Sequence, residues 1–193
     1  MSSDMLNLVT LVGSLRKGSY NAALARNLPA LAPEGMNFAA LGSVGGLPHY
    51  DADVQALGFP AAATAMGAAI KAADGVVIVT PEYNYSIPGV LKNALDWLSR
   101  LPDKPFAGKP VLIQSAAMGA LGGGRAQYHL RQILVFLDAQ VFNIPEVMVA
   151  QVQNRIDAEG TLTDQPTRDV IANQLRGFQS FVRRAKAGAA ITA

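Results

Sequence analysis

The sequence predicts an α/β fold in which helices cover both faces of a parallel sheet. Segments typical of strands and of helices alternate about five times along the 193 residues. The strand segments are continuous apolar runs, which is the pattern of strands buried on both faces. Half of the residues are hydrophobic and 16% are charged, so the chain can bury a full core and an intrinsically disordered chain is excluded. Because no repeat or linker divides the sequence, we expect residues 1–193 to form a single domain.

The predicted strands are short apolar runs bounded by glycine or proline: 6–12, 36–40, 75–80, 110–115 and one within 140–150 around 147–149. The first run ends at Gly13. Residues 75–80 give the clearest pattern, with a run of consecutive β-branched residues that is stopped by Pro81.

The predicted helices have apolar residues at helical spacing: about 20–28, 59–73, 88–100, 124–138 and 167–186. Ser19 is a good N-cap for the first helix, and Pro29 is expected to end it. Pro88 suits the first turn of the third helix. The glycine-, proline- and aspartate-rich residues 42–58 indicate a loop.

Ligands of such sheets bind beyond the carboxyl ends of the strands, so three loops are candidates: 13–20, 80–88 and 115–124. The first loop gathers Ser14, Arg16, Ser19 and Asn21 at a helix N-terminus. Hydroxyls, an amide, a guanidinium and free backbone N–H groups at that position suit a phosphate. The loop matches neither the G-x-G-x-x-G fingerprint nor the P-loop. The alternative is a polar turn with an ordinary N-cap.

The second loop combines rigidity with aromatic faces. Pro81 and Pro88 stiffen it, and Tyr83 and Tyr85 offer rings. Asn84 and the backbone amides can bind the edge of a planar heterocycle, which next to a phosphate site indicates a flavin. The alternative is a loop whose tyrosines only pack on neighbouring residues.

The third loop, 115–124, contains four glycines after a strand. Close approach of the backbone to a ligand is one explanation. A flexible loop at the substrate entrance and a plain long turn are the alternatives.

The motifs GSLRKGSYNAALARNL and TPEYNYSIPGVLKNALDWLSR resemble those of the NAD(P)H-dependent FMN reductase family, a flavodoxin-like group that includes quinone, chromate and azo-dye reductases. The resemblance covers roughly residues 6–150. It implies a flavodoxin-like three-layer sandwich with a five-stranded parallel sheet of order 2-1-3-4-5, and one FMN per subunit. The second motif is the more specific of the two.

The resemblance also implies which residues bind the cofactor. The phosphate loop corresponds to Ser14, Arg16, Ser19, Tyr20 and Asn21. The isoalloxazine loop corresponds to Pro81, Glu82, Tyr83 and Asn84, and the segment that flanks the flavin and ribityl chain to Ser115 and Gly119. NADPH or NADH and a small-molecule electron acceptor would alternate at the open face of the flavin, which is a ping-pong reaction.

The helix at 124–138 has a second, non-core face with interface-type composition: Arg125, Tyr128, His129, Gln132 and Phe136. We expect a homo-oligomer in which Arg125 and Tyr128 contact a neighbouring subunit and reach Glu146. The alternative is that this face of the helix is simply exposed to solvent. Members of the family are usually dimers or tetramers.

The composition excludes several chemistries. The chain has no cysteine, and its two histidines, His49 and His129, are far apart in sequence, so no metal site is expected. The sequence lacks the G-x-S-x-G motif of serine hydrolases, so this class of enzyme is not indicated. We expect no catalytic side chain, since a bound flavin would carry the electron chemistry.

The overall charge and hydropathy indicate the expected partners and location. The basic run at 183–186 is typical of a solvated helix end, so no nucleic acid is expected as partner. No long apolar stretch indicates a membrane span, and the N-terminal apolar run is typical of a strand rather than a signal peptide. The expected location is the cytoplasm.

The sequence therefore predicts an FMN-dependent NAD(P)H oxidoreductase that reduces quinones and other acceptors, among them flavins, azo dyes and chromate. Two alternatives remain: a flavodoxin-type electron carrier and a flavin-binding protein without turnover. Such carriers are normally acidic, and the pI of about 9.0 argues against the first alternative.

Overall fold

The computed structural model describes residues 5–192, with side chains described as far as residue 188. Its strands are β1 (Leu6–Val12), β2 (Met36–Ala40), β3 (Gly75–Thr80), β4 (Pro110–Ala116), β5 (Gln140–Val141) and β6 (Val147–Val149). Its α-helices are α1 (Tyr20–Leu31), α2 (Ala52–Ala56), α3 (Ala61–Ala72), α4 (Gly89–Arg100), α5 (Gly124–Phe136) and α6 (Gln165–Thr192).

All strand pairs in the sheet are parallel, and the order is β2-β1-β3-β4-β5. The expected order of five positions is therefore confirmed. The fifth position differs in detail, because β5 and β6 both pair with β4, at opposite ends of it. Pro145 lies between these two strands and has no N–H to donate to a ladder, which fits the interruption of the strand there.

The sheet separates two apolar cores. Successive residues of β3 point to opposite faces, so Val76 packs with Trp97 on the side of α3, α4 and α5, and Val77 packs with Phe178 on the side of α1 and α6. Every residue of β3 is buried. The continuous apolar run that predicted this strand is thus explained by helices on both faces.

Two stretches differ clearly from the sequence-based expectation. Helix α1 continues through Pro29 to Leu31, where Pro29 was expected to end it. The proline falls in the last turn, and Leu28 and Leu31 anchor that turn in the core. The expected loop at 42–58 contains the short helix α2, whose N-terminus is capped by the Asp51 carboxylate.

Helix α6 is longer than expected. It begins at Gln165, directly after Asp164, whose carboxylate accepts the N–H of Thr167, and it extends beyond the predicted end at Lys186. Across residues 5–192, no helix is both long enough and apolar enough to cross a membrane.

Candidate functional site

The loops that follow β1, β3 and β4 meet at one edge of the sheet. The backbone N–H of Gly13 donates to the carbonyl of Val79 at 2.9 Å, so the ends of β1 and β3 are in direct contact. A Cβ at position 13 would lie 2.5 Å from Oγ1 of Thr80. Glycine is required here because the two strand ends approach so closely, and this approach brings the first two candidate loops side by side.

A cavity of about 180 Å³ opens between the three loops. Its lining residues come from all three: Ser14, Arg16, Ser19, Tyr20, Asn21, Pro81, Glu82, Tyr83, Ala116, Ala117 and Met118. Eight of the proposed cofactor residues are therefore brought together. The remaining three, Asn84, Ser115 and Gly119, lie on the same loops but outside this lining.

The first loop presents unused hydrogen-bond donors to the cavity. Oγ of Ser19 accepts the N–H of Ala22 at 3.2 Å and so caps α1, which leaves its hydroxyl proton free to donate. Oγ of Ser14 accepts the N–H of Arg16 at 3.4 Å and likewise keeps its proton. The backbone N–H groups of Tyr20 and Asn21 have no intrahelical acceptor in the first turn of the helix. This set of donors fits a phosphate ester.

Arg16 adds a positive charge at the same place. The guanidinium is exposed, forms no ion pair with any described residue, and lies 5.8 Å from the centre of the Tyr20 ring. Together with the positive end of the α1 dipole, this unneutralised charge favours an anion. An ordinary polar turn with an N-cap would not need it.

The side chain of Asn21 is hydrogen-bonded to the protein's own backbone. It is 3% exposed, and its amide exchanges two hydrogen bonds of 2.9 Å with the backbone N–H and carbonyl of Ala116. These bonds tie the first turn of α1 to the end of β4. The backbone N–H of Asn21 is thus the group that faces an anion, while its side chain fixes the geometry of the site.

The second loop is built on a tight turn. Tyr83 and Ser86 exchange backbone hydrogen bonds of 2.9 and 3.0 Å, and the two residues between them, Asn84 and Tyr85, have φ values of 48° and 69°. Positive φ at both central positions defines a type I′ turn, which is strained for tyrosine. Tyr83 is 49% exposed and Tyr85 is 67% exposed. The ring of Tyr83 therefore does not pack in the core and lines the cavity, which disfavours the alternative interpretation for this residue. The ring of Tyr85 instead packs against the guanidinium of Arg125.

Glu82 ties this turn to α5. Its side chain is 7% exposed, and its carboxylate accepts the N–H groups of Arg125 and Ala126 at 3.0 and 3.3 Å. The N-cap residue of α5 is Gly123, which has no side chain, so Glu82 supplies the cap from a distant loop.

Arg125 is engaged within its own chain. Its guanidinium forms an ion pair with Glu82 and lies 3.6 Å from the centre of the Tyr85 ring. The expected contact of Arg125 with a neighbouring subunit and with Glu146 stays a prediction; within its own chain the guanidinium contacts the loop of the candidate site.

Ser115 stabilises the third loop through hydrogen bonds of its buried side chain. It is fully buried, and its hydroxyl donates to the carbonyl of Gly122 at 2.7 Å and accepts from Nε2 of Gln127 at 2.8 Å. Cβ atoms at Gly122 and Gly123 would lie 2.6 Å from the backbone of Met148 and 2.8 Å from Ser115. Both glycines have positive φ. Close packing thus requires glycine at these two positions, which favours a fixed turn over a flexible loop; at Gly119 no atom restricts a Cβ.

Several site residues were missed by the sequence reasoning. Ala117 and Met118 line the cavity, and their only signal is their position just after β4. Gln127 is buried and bonds to Ser115, and its Oε1 has no hydrogen-bond partner among the described residues. Asn93 and Trp97 belong to the second motif, and both donate to the carbonyl of Pro48 at 2.8 Å. The motif therefore also fixes the loop at 47–50.

The outer face of α5 contains the other proposed interface residues. The hydroxyl of Tyr128 donates to Oε2 of Glu146 at 3.2 Å, and Arg131 pairs with Oε1 of the same carboxylate, within one chain. Tyr128 and Phe136 are 55% and 78% exposed. A contact of this face with a second subunit stays a prediction.

Comparisons with known proteins agree with this geometry. The model of the family described as NADPH-dependent FMN reductase matches residues 6–154. The quinone reductase of Escherichia coli K12 is 59% identical over 95% of this chain and 99% of its own length. An NAD(P)H-dependent FMN reductase of Pseudomonas aeruginosa is 50% identical, over 94% and 98%. The solved structure of an NAD(P)H:(acceptor) oxidoreductase flavoenzyme from Paracoccus denitrificans superimposes with a TM-score of 0.85 at 31% identity, covering 94% of this chain and 99% of that one.

Proposed function

Because the chain belongs to the NADPH-dependent FMN reductase family, we propose that it is an FMN-dependent NAD(P)H oxidoreductase that reduces quinones by a ping-pong mechanism. One observation supports this most strongly. The cavity joins an anion-binding helix N-terminus, with Arg16 and two hydroxyl donors, to a rigid turn with exposed aromatic rings. This combination fits a ligand with a phosphate at one end and a flat ring system at the other.

The residues that would hold FMN divide into two groups. Ser14, Arg16, Ser19 and the backbone N–H groups of Tyr20 and Asn21 would bind the phosphate. The turn from Pro81 to Asn84 would bind the isoalloxazine, and Ser115 and Gly119 would shape the segment beside it. When bound, FMN supplies the capacity to accept a hydride from a nicotinamide and to pass electrons to an acceptor.

The protein itself binds and orients the ligands. Glu82 is neutralised by Arg125 and by the α5 N-terminus, so it is a structural tie rather than a proton donor. We assign no catalytic acid or base, because a quinone can take its protons from water. One open cavity serves both the nicotinamide and the acceptor in turn, which is why the mechanism is ping-pong.

The finer parts of the proposal concern acceptors, assembly and location. Flavins, azo dyes and chromate are further acceptors, since an open cavity discriminates weakly. We propose a single domain that forms a homo-oligomer, a dimer or a tetramer, through the exposed face of α5. The proposed location is the cytoplasm, in keeping with a cysteine-free chain.

The deciding experiment is an absorption spectrum of the purified protein, followed by an anaerobic titration with NADPH or NADH. The purified protein should show the visible absorbance of an oxidised flavin, lose it on addition of NADPH or NADH, and regain it when 1,4-benzoquinone is added. A yellow protein whose flavin is reduced by neither NADPH nor NADH would support an electron carrier or a flavin-binding protein without turnover. A colourless protein that fails to bind added FMN would refute the proposal.

A further inference from the structure

A second cavity, of about 310 Å³, adjoins the first. Ser19 and Tyr20 line both cavities, so the two are separated only by the first turn of α1. Lys17 and Arg26 line the second cavity on the side of α1, and the turn at 156–160 forms the opposite wall.

The opposite wall is fixed to the rest of the fold. The side chain of Asn27 on α1 donates to the carbonyl of Gly160 at 2.9 Å and accepts the N–H of Leu162 at 3.1 Å. Ile156 and Leu162 are paired in a β-bridge and buried in the core. The cavity is therefore a built feature and not a gap beneath a loose loop.

The charged side chains around this cavity do not neutralise one another. Across residues 5–188, neither Lys17 nor Arg26 forms an ion pair or a side-chain hydrogen bond, although other cations in the fold do. Asp157 and Glu159 stand across from them without an ion pair, and Oδ1 of Asp157 accepts the N–H of Thr161 at 2.7 Å. Two cations on one wall and two carboxylates on the other suit a ligand that offers an anion to one side and hydroxyls to the other.

We propose that this cavity binds the adenosine 2′-phosphate end of NADPH, with Lys17 and Arg26 on the phosphate and the carboxylates of Asp157 and Glu159 toward the ribose. The inference rests on the proposed function, because a nicotinamide that reacts in the first cavity extends into the one that shares its wall. The 2′-phosphate is the group that distinguishes NADPH from NADH. The two cations would therefore make the enzyme prefer NADPH.

The test uses the FMN-loaded protein and the double variant Lys17→Ala/Arg26→Ala. Each lost charge-assisted contact weakens binding by about tenfold or more, so the KM for NADPH should rise by at least about tenfold. The KM for NADH, which lacks the phosphate, should change by less than about twofold. The matched control is Arg183→Ala/Arg184→Ala, which removes the same net charge from exposed positions on α6 and should alter neither value.

Calorimetry provides a readout that does not depend on turnover. Adenosine 2′,5′-bisphosphate should bind the wild-type holoprotein about tenfold or more tighter than 5′-AMP, and the double variant should lose this difference. Equal affinity of the wild type for the two nucleotides would overturn the inference, and so would an effect of the control equal to that of the double variant. Loss of FMN from the double variant would also overturn it, by assigning the cavity to the resident cofactor. If neither NADPH nor NADH reduced the bound flavin, the proposed function would be wrong. Calorimetry would still show whether the second cavity binds the adenosine 2′-phosphate group.

Discussion

Replacing the carboxylate of Glu82 tests whether this side chain holds the second candidate loop against the start of α5. Replacing it by the amide in Glu82→Gln preserves shape and one acceptor oxygen. It removes the negative charge opposite Arg125 and leaves a single acceptor oxygen, where the carboxylate presents one oxygen to the Arg125 guanidinium and the other to the N–H groups of Arg125 and Ala126. The ion pair is therefore lost, and an NH₂ group faces one of the two sets of donors, with little change in volume.

The expected cost follows from the burial of each partner. A side-chain N-cap is worth about 1 kcal/mol. The ion pair joins a carboxylate that is 7% exposed to a guanidinium that is 39% exposed, so Arg125 can turn to water and the pair is discounted to about 1 kcal/mol. The sum of about 2 kcal/mol corresponds to a decrease in Tm of about 4–8 °C for a chain of this length.

Thermal unfolding followed by circular dichroism measures this cost. FMN would stabilise the folded state by mass action, so wild type and variant are compared at several FMN concentrations up to saturation. The matched control is Asp96→Asn, which breaks an exposed i,i+4 pair with Lys92 and should cost less than about 0.5 kcal/mol. A Tm for Glu82→Gln within about 1 °C of wild type would refute the reasoning. So would a double-mutant cycle with Arg125→Ala that shows no coupling.

Three further predictions concern the phosphate loop, the α5 face and the start of α6. Arg16→Ala should raise the Kd for FMN by about 10- to 100-fold, as expected for one charge-assisted contact, and should affect turnover at saturating FMN much less; equal FMN affinity by fluorescence titration would reject this assignment. Tyr128→Ala should lower the mass measured by light scattering, and an unchanged mass would contradict an assembly through this residue. The hydroxyl and backbone N–H of Thr167, and then Arg155, lower the pKa of Asp164. Its contribution to stability is thus present at neutral pH and lost as the pH falls below about 4, so the Tm deficit of Asp164→Asn should shrink from pH 7 to pH 3; a constant deficit would show that the charge is not responsible.

The parts of the site that the sequence predicted are those encoded within one short segment. The donors proposed to bind a phosphate lie close together between Ser14 and Asn21, and the end of a buried strand already places them at the carboxyl edge of the sheet. The strand β3 was equally predictable, because burial on both faces leaves an uninterrupted apolar run.

The roles that could not be predicted depend on partners far away in the sequence. The amide of Asn21 binds the backbone of Ala116, which is 95 residues further along the chain, and Glu82 caps a helix that begins 42 residues later. From the residue type alone, we can predict that a buried amide or carboxylate forms hydrogen bonds. The residue type does not show whether the partner is a ligand or the protein's own backbone, since both offer the same hydrogen-bonding groups.

Arg125 shows what a helical projection leaves out of an interface prediction. The projection separates core-facing from outward-facing positions, but it contains nothing about what lies beyond the end of a helix. Arg125 is outward-facing and also in the first turn of α5, where the loop carrying Glu82 and Tyr85 abuts the helix, so a neighbouring loop satisfies it. Further along the same face, Tyr128 bonds to Glu146 and Phe136 is 78% exposed. The first turn of α5 is thus engaged by the loop of the candidate site, whereas a contact of the later part of this face with a second subunit stays a prediction. His129, which follows Tyr128, lies 3.1 Å from the hydroxyl of Ser86 on the type I′ turn, so a subunit bound to the later part of the face would also touch a residue that contacts the second candidate loop.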